Sequence, residues 1–487
     1  MPFDESAAEI VFGSPMFIAA IGLVVILLLE AATKLRQLRF VYGSLVYLTT
    51  ALWYFIDPIY QPREYQKFAP AEIDQAYLQV VVFLLGFRFL LQCIAPRTPT
   101  RVLRDFNPRE IDRGPIVAAL FGAWLVLFAI GIARANFDVL NAMFPIRSRM
   151  NWGSVMFARP RYGGTTAFLI SAAAYSYMMT CSGFGMMLVC TQRSTIRAWM
   201  LLMIAFTWPM FVLSGSRHTV LAVALPAILM TLLVKRWNMV QRVAFLGTCG
   251  LVMNVLMLAV IEFRNDGLDQ ILEQSDSAER LAKAKHLGLN MPEEMMHILR
   301  YQRSGAMPIE YGWNYVEHAL NVIPRPLWPE KPMPGWRFAA LRLGVRRGDL
   351  VATLSYGFIG QGVSNFGPFF GPLAPALLLS LFCRLLCNLR NRGNPVARAS
   401  LMLFCLGLIP NLGRDISLFV LWPAIFGYLA VRLYEWRIRT RRRPERVERS
   451  AVARTAAVRS PQLRLESESI SQGSVPSGIS RVQFTGH

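Results

Sequence analysis

Charge is scarce in this chain: only 17% of its 487 residues are Asp, Glu, Lys or Arg, and just 30 are acidic. Soluble domains run to about 25% charged, so there is too little polar surface here to dress a water-soluble fold of this length. Histidine is rarer still, with five in the chain, and none sits in an HExxH pattern. A Walker A loop and an Asp-x-Asp pair are missing too, which weighs against ATP-driven transport and against nucleotide-sugar chemistry on a carboxylate-held metal. The seven cysteines, Cys93, Cys181, Cys190, Cys249, Cys383, Cys387 and Cys405, lie in or at the ends of apolar runs, where they behave as small hydrophobes. They show neither a disulfide framework nor zinc spacing. No internal repeat of the kind common in secondary transporters is visible.

What the chain does hold is hydrophobic residues, 54% of the total, with a mean hydropathy of +0.37. Apolar runs near the ~20 residues needed to cross a bilayer recur far too often for a signal peptide or a single anchor. They cover Ser14–Ala32, Phe40–Ile56, Tyr77–Ala95, Gly114–Arg134, Thr165–Cys190, Ala198–Leu213, Thr219–Val234, Val243–Phe263, Phe366–Leu389, Val396–Asn411 and Ile416–Tyr434. The expected fold class is all-α, a polytopic integral membrane helical bundle of about eleven transmembrane helices.

The net charge of +21 follows from topology rather than from nucleic-acid binding, because the basic residues gather in short segments between apolar runs and in the tail. Residues 1–436 form the expected transmembrane domain, and 437–487, basic and then Ser-rich, an expected disordered cytoplasmic tail. Counting back from that tail puts Lys34–Arg39, Arg97–Arg113, Arg193–Arg197, Lys235–Arg242 and Arg390–Arg398 inside, and the acidic N-terminus and Asp57–Asp74 outside. Val351–Asn365 is Gly-rich and short for a span, so it reads as a re-entrant segment, tolerable where protein or water satisfies its backbone. Arg88, inside the third span, is expected to snorkel to the inner side.

Two outer segments break the charge rule: Asn136–Gly164 carries Arg147, Arg149, Arg159 and Arg161, and the long loop 264–350 carries Arg325, Lys331, Arg337, Arg342, Arg346 and Arg347. Helix-like stretches within that loop cover Glu273–Lys285 and Pro292–Arg300. Its end, Pro324 to Pro334, is too rich in proline for a regular helix. Pro324-Arg325-Pro326 mounts a guanidinium on a stiffened backbone, Lys331 adds a point charge, and Trp328 and Trp336 offer flat faces suited to sugar rings or a lipid rim. Arginine forks bind phosphate oxygens bidentately, so the cluster has the makings of a pyrophosphate clamp; the alternative is a rigid loop with solvated charges. Ser214-Gly-Ser-Arg217-His218 opens a helix at its outer end, where free N–H groups favour an anion. His218 there is either a base, a phosphate contact or part of a cap. Arg414-Asp415 occupies an outer turn, as further rim charge or as a self-contained ion pair.

Together, Ser-Gly-Ser-Arg217, then Ile323-Pro-Arg-Pro-Leu-Trp-Pro-Glu-Lys-Pro332, then Tyr356–Gly371 with its Asn365-Phe-Gly367 resemble the Wzy-type O-antigen or oligosaccharide repeat-unit polymerases over roughly Phe211 to Tyr434. The resemblance implies a glycosyltransferase of the bacterial inner membrane, multi-pass, with its active site and loop 264–350 facing the periplasm. It would polymerise undecaprenyl-diphosphate-linked oligosaccharides, with lipid diphosphate as leaving group. Arg217, Arg325 and Arg414 would stabilise that leaving group, assisted by Lys331 and Arg337, with no cofactor and no metal. Asn365, Trp328, Trp336, His218, Arg147 and Arg159 would line the substrate path. His318, His218 and Glu317 are open alternatives for the base. Membrane lipid and a chain-length regulator are the expected partners, and nucleic acid is not. An O-antigen ligase and a flippase of lipid-linked sugars are the competing readings.

Overall fold

The structure is a computed structural model; it describes residues 5–100, 114–144, 156–157, 165–213, 217–235, 237–265, 290–320, 323, 327–329, 335–346, 354–388, 395–414 and 416, together with 425, 427–429, 433 and 436. The chain divides into two units, Met1–Tyr428 and Leu429–His487. Its helices are α1 (Glu5–Phe12), α2 (Pro15–Thr33), α3 (Leu38–Tyr54), α4 (Ile56–Tyr60), α5 (Pro70–Ile94), α6 (Gly114–Arg134), α7 (Val139–Met143), α8 (Thr165–Cys190) and α9 (Ser194–Leu213). Then follow α10 (Arg217–Val234), α11 (Met239–Asn265), α12 (Met291–Arg303), α13 (Trp313–Leu320), α14 (Trp336–Leu343), α15 (Gly357–Phe370), α16 (Leu373–Asn388), α17 (Pro395–Gly407) and α18 (Ile409–Leu412). Among the described residues there is no strand, only an isolated bridge between Gln37 and Pro99.

The all-α class read from the sequence therefore holds. Among the described residues, four helices are long and apolar enough to cross a membrane: Pro15–Thr33, Pro70–Ile94, a stretch of α6 from Val117 to Arg134, and Ser194–Leu213. The count is five if α15 and α16, which meet at 120°, form one broken span. Most of the expected Ile416–Tyr434 run, and the expected helix at Glu273–Lys285, lie outside the described residues.

Two clusters of helices form the core. In the first, α2 and α5 run parallel, pinned at their starts where Ser14 Oγ donates to Asp74 Oδ1 (2.5 Å). Ser14 also caps α2 by accepting from the Phe17 backbone N–H, the usual way a helix start satisfies an orphan donor. Aromatic rings join α5 to its neighbours: Phe17 of α2 meets Tyr77 edge-on at 4.8 Å, and Phe83 stacks on Phe87 and meets Phe358 of α15 edge-on at 4.8 Å. In the second cluster α8 packs against α6, α9 and α10.

Arg88 is held by a carboxylate on the neighbouring helix. Its Nε and Nη2 donate to Glu30 Oε2 and Oε1 at 2.6 and 2.8 Å, and Lys34 adds a third donor to Glu30. A bidentate pair neutralises both charges, so the arginine fastens α5 to α2.

Helix α12 docks on the start of α5 through charge. Arg300 grips Glu72 with two hydrogen bonds of 2.9 and 2.6 Å, and Arg303 reaches Gln75. Glu293, fully buried, takes Lys67 at 2.6 Å and Arg342 of α14 at 2.7 Å. The helix expected within 292–300 is present, and its acidic residues tie it to α14 and to Lys67 just ahead of α5, while its arginines grip α5 itself.

Candidate functional site

The expected span Phe366–Leu389 is corrected at its start. Phe366 to Phe370 belong to α15, and the chain turns at Gly371 before α16 begins at Leu373. The break is already prepared at Gly367, whose φ of 74° and ψ of −179° are non-helical, and Pro368 follows with no N–H to continue the ladder. Asn365-Phe-Gly367 is therefore the point where α15 kinks.

The other end of α15 is held by backbone donors that a helix start leaves unpaired. Ile359 N–H donates to Tyr54 Oη (3.0 Å) and Phe358 N–H to the Gly413 carbonyl (3.3 Å). Gly357 makes this approach feasible: its φ is +77°, and a Cβ there would collide with Tyr54 Oη.

At the middle of α15, Gln361 is fully buried and joins three separate parts of the chain. Its Nε2 donates to Asn314 Oδ1 in α13 (3.0 Å), and its Oε1 accepts from the Ile416 N–H (2.9 Å). Asn365, one turn further on and also fully buried, accepts from the Asn314 N–H at 3.1 Å and donates to the Gln361 carbonyl at 2.7 Å. It thus satisfies an orphan donor at the start of α13. Read from sequence as a substrate contact, Asn365 positions helices here.

Around this junction lie the charged residues. Arg414, exposed at the end of α18, donates from Nε to Ser355 Oγ at 2.6 Å, and among the described residues it has no carboxylate partner. Tyr356, the next residue, packs edge-on against Phe338 of α14 at 5.0 Å, which brings the start of α14 to the same place. There Arg337 lies over the Trp336 ring at 5.7 Å. The turn before α13, bonded to α15 at Ser364, presents Glu310. Ser364 Oγ donates to Glu310 Oε2 (3.1 Å), and the Glu310 N–H donates to the Ser364 carbonyl (3.1 Å). Burial raises the Glu310 pKa, against the pull of the Arg337 guanidinium and the Ser364 hydroxyl. Sequence reasoning missed Glu310, whose partner is 54 residues away.

His318, in the last turn of α13, has its Nδ1 buried without a hydrogen-bond partner among the described residues, and desolvation pushes its pKa down to about 4. Glu317 beside it is buried. Arg217 and His218 open α10, so their backbone sits at a helix start as expected, but their side chains lie outside the described residues. So do Arg325, Lys331, Arg147 and Arg159 entirely; Trp328 is described in a short non-helical piece, Leu327 to Pro329. Of the thirteen residues singled out from sequence, the structure brings Arg414, Arg337, Trp336, Asn365, His318 and Glu317 to one junction or the helices that meet there. No grouping of three or more His, Cys, Asp or Glu among the described residues could hold a metal ion.

Fold and junction together define an all-α protein with helices of membrane-spanning length and a polar, partly cationic junction at a broken helix. No protein-family model matches the chain, nor does any curated protein or solved structure.

Proposed function

We propose that this protein polymerises oligosaccharide repeat units carried on undecaprenyl diphosphate, by glycosyl transfer at the outer face of the bacterial inner membrane. The attacking hydroxyl of one unit displaces the lipid diphosphate of another. In this reading the chain crosses the membrane about eleven times, with its N-terminus and loop 264–350 in the periplasm and its tail in the cytoplasm. Arg217, Arg325 and Arg414 neutralise the departing diphosphate, with Arg337 and Lys331 beside them, and a chain-length regulator is the expected protein partner.

The observation that carries this reading is the junction at Gln361. It ties the Asn365-Phe-Gly367 helix to α13 of the long loop and to the turn bearing Arg414, so one segment of the resemblance meets one of the arginines assigned to the leaving group. A diphosphate leaving group gains charge as its bond breaks, and guanidinium groups already held in position stabilise that charge without reorganisation.

Arg414→Ala and Arg337→Ala should each cut polymer by about 100-fold or more, the usual scale for one lost electrostatic donor, with membrane abundance unchanged. Lysine at either position should restore little, because it keeps the charge but not the fork. Polymer of normal length and amount in both alanine variants would remove the cationic clamp.

A further inference from the structure

Glycosyl transfer of this kind needs a group that takes the proton from the attacking hydroxyl, and we propose that Glu310, on the turn before α13, is that group. The inference rests on the polymerase reading above.

Geometry comes first. The turn that carries Glu310 is held in an unusual shape: Tyr311 has φ 49° and Gly312 φ 86°, and non-glycine residues enter that region only where their surroundings over-determine it. The surroundings are α15. The two hydrogen bonds between Glu310 and Ser364 fix one carboxylate oxygen, Oε2, on the side of α15 that faces the turn. Gln302 Nε2, donating to the Val363 carbonyl at 3.0 Å, holds the same stretch from α12. Among the described residues the other oxygen, Oε1, has no hydrogen-bond partner, and Glu310 is only half-buried. A carboxylate with one oxygen anchored and the other free can approach a hydroxyl without losing its orientation.

Next come the neighbours. The Arg337 guanidinium, one of those assigned to the diphosphate, draws the Glu310 carboxyl toward its charged form. Tyr311 and Trp313 flank it, 82% and 46% exposed, and Phe366 of the kink is exposed too. Exposed aromatic rings next to a carboxylate suit a sugar, which stacks its C–H face on a ring and bonds through its hydroxyls.

Burial then separates Glu310 from the histidines. Desolvation disfavours the charged form of either group, which strengthens a carboxylate as a base and weakens an imidazole. Glu310 moves in the useful direction. His318 moves to about 4, and its Nδ1 is buried without a hydrogen-bond partner among the described residues.

The step balances as follows. The acceptor O–H gives its proton to Glu310 Oε1, and the oxygen forms a bond to the anomeric carbon of the second unit. The bond from that carbon to the diphosphate oxygen breaks, and the lipid diphosphate leaves with the electron pair. Glu310 afterwards returns its proton to water.

The test is the pH dependence of chain lengthening by the purified full-length protein on lipid-diphosphate-linked repeat units. The wild-type rate should fall on the acid side as Glu310 is protonated. Glu310→Gln should lower the rate by about 10²–10⁴-fold and abolish that acid limb, while Glu310→Asp should keep a reduced rate and the limb. Ser364→Ala, which removes a bond that favours the charged carboxylate, should move the limb to higher pH, and it reports on Glu310 even if Glu310→Gln fails to fold. A Glu310→Gln protein with wild-type rate and limb, or a limb unmoved in Ser364→Ala, would overturn the assignment while leaving the polymerase reading intact. A wild-type protein that never lengthens the units would overturn that reading and the assignment with it.

Discussion

At Gly367 the backbone takes φ 74° and ψ −179°, a combination essentially restricted to glycine. A Cβ at that position would lie 3.0 Å from Ile309 Cδ1, immediately before Glu310. Gly367→Ala should therefore strain the kink and push on the turn that carries Glu310. The expected cost is about 1–3 kcal/mol, read as a lower thermal midpoint in detergent and as slower chain lengthening. An unchanged midpoint would mean that the kink relaxes freely. The Gly-Pro pairs at 367–368 and 371–372 are the local signals that this apolar stretch could not be a continuous span. Glu310 and Gln361 gave no such signal: their roles come from Ser364, Asn314 and Ile416, residues 47 to 55 positions away or across a helix turn that only folding brings close. Asn365 was legible as a special residue, but its bonds to Asn314 and to the Gln361 carbonyl were not, because they form only when α13 and α15 meet.

Among the elements, α6 and α8 coincide with their predicted runs, because uninterrupted apolar sequence bounded by glycine, charge or turn residues leaves little choice. Helix α5 starts seven residues early, at Pro70 rather than Tyr77. Its first turns are polar and invisible to a hydropathy reading, yet they carry Glu72 and Asp74, which bond α12 and α2. Helix α12 was legible from its Pro and Glu start. Its docking was not, since Glu293 finds Lys67 and Arg342 across the fold. That buried group makes a pH prediction. Burial opposes ionisation of Glu293, but His297, Lys67 and Asn290 outweigh it and bring its pKa to about 2. A depressed carboxylate stabilises the fold above its unfolded value of about 4.3 and loses that contribution as pH falls toward the folded value. His297 acts in the same sense over a higher window. Burial lowers its pKa despite Glu293 at 3.7 Å, so below about pH 6.5 the unfolded chain binds the proton first. The thermal midpoint should fall from about pH 6.5 downward, and faster below about pH 4.5. Glu293→Gln should be less stable at neutral pH, because Lys67 and Arg342 lose a buried partner, and should show a shallower decline below about pH 4.5. An identical pH profile in the variant would contradict the role given to Glu293.

For the whole molecule, the central claim is that a bundle of apolar helices supports a polar junction that lengthens lipid-linked sugar chains with arginines, where nucleotide-sugar enzymes use a metal. Composition made the membrane character legible, because hydrophobic residues in such excess have nowhere else to go. The direct measurement is chain lengthening by the purified protein in detergent on undecaprenyl-diphosphate-linked repeat units, without nucleotide and with EDTA present. The account predicts products longer by whole repeat units, at a rate that EDTA leaves unchanged. Activity lost to EDTA and restored by a divalent ion would contradict the arginine mechanism, and a protein that carries the lipid-linked unit across liposomes without ever lengthening it would contradict the claim as a whole.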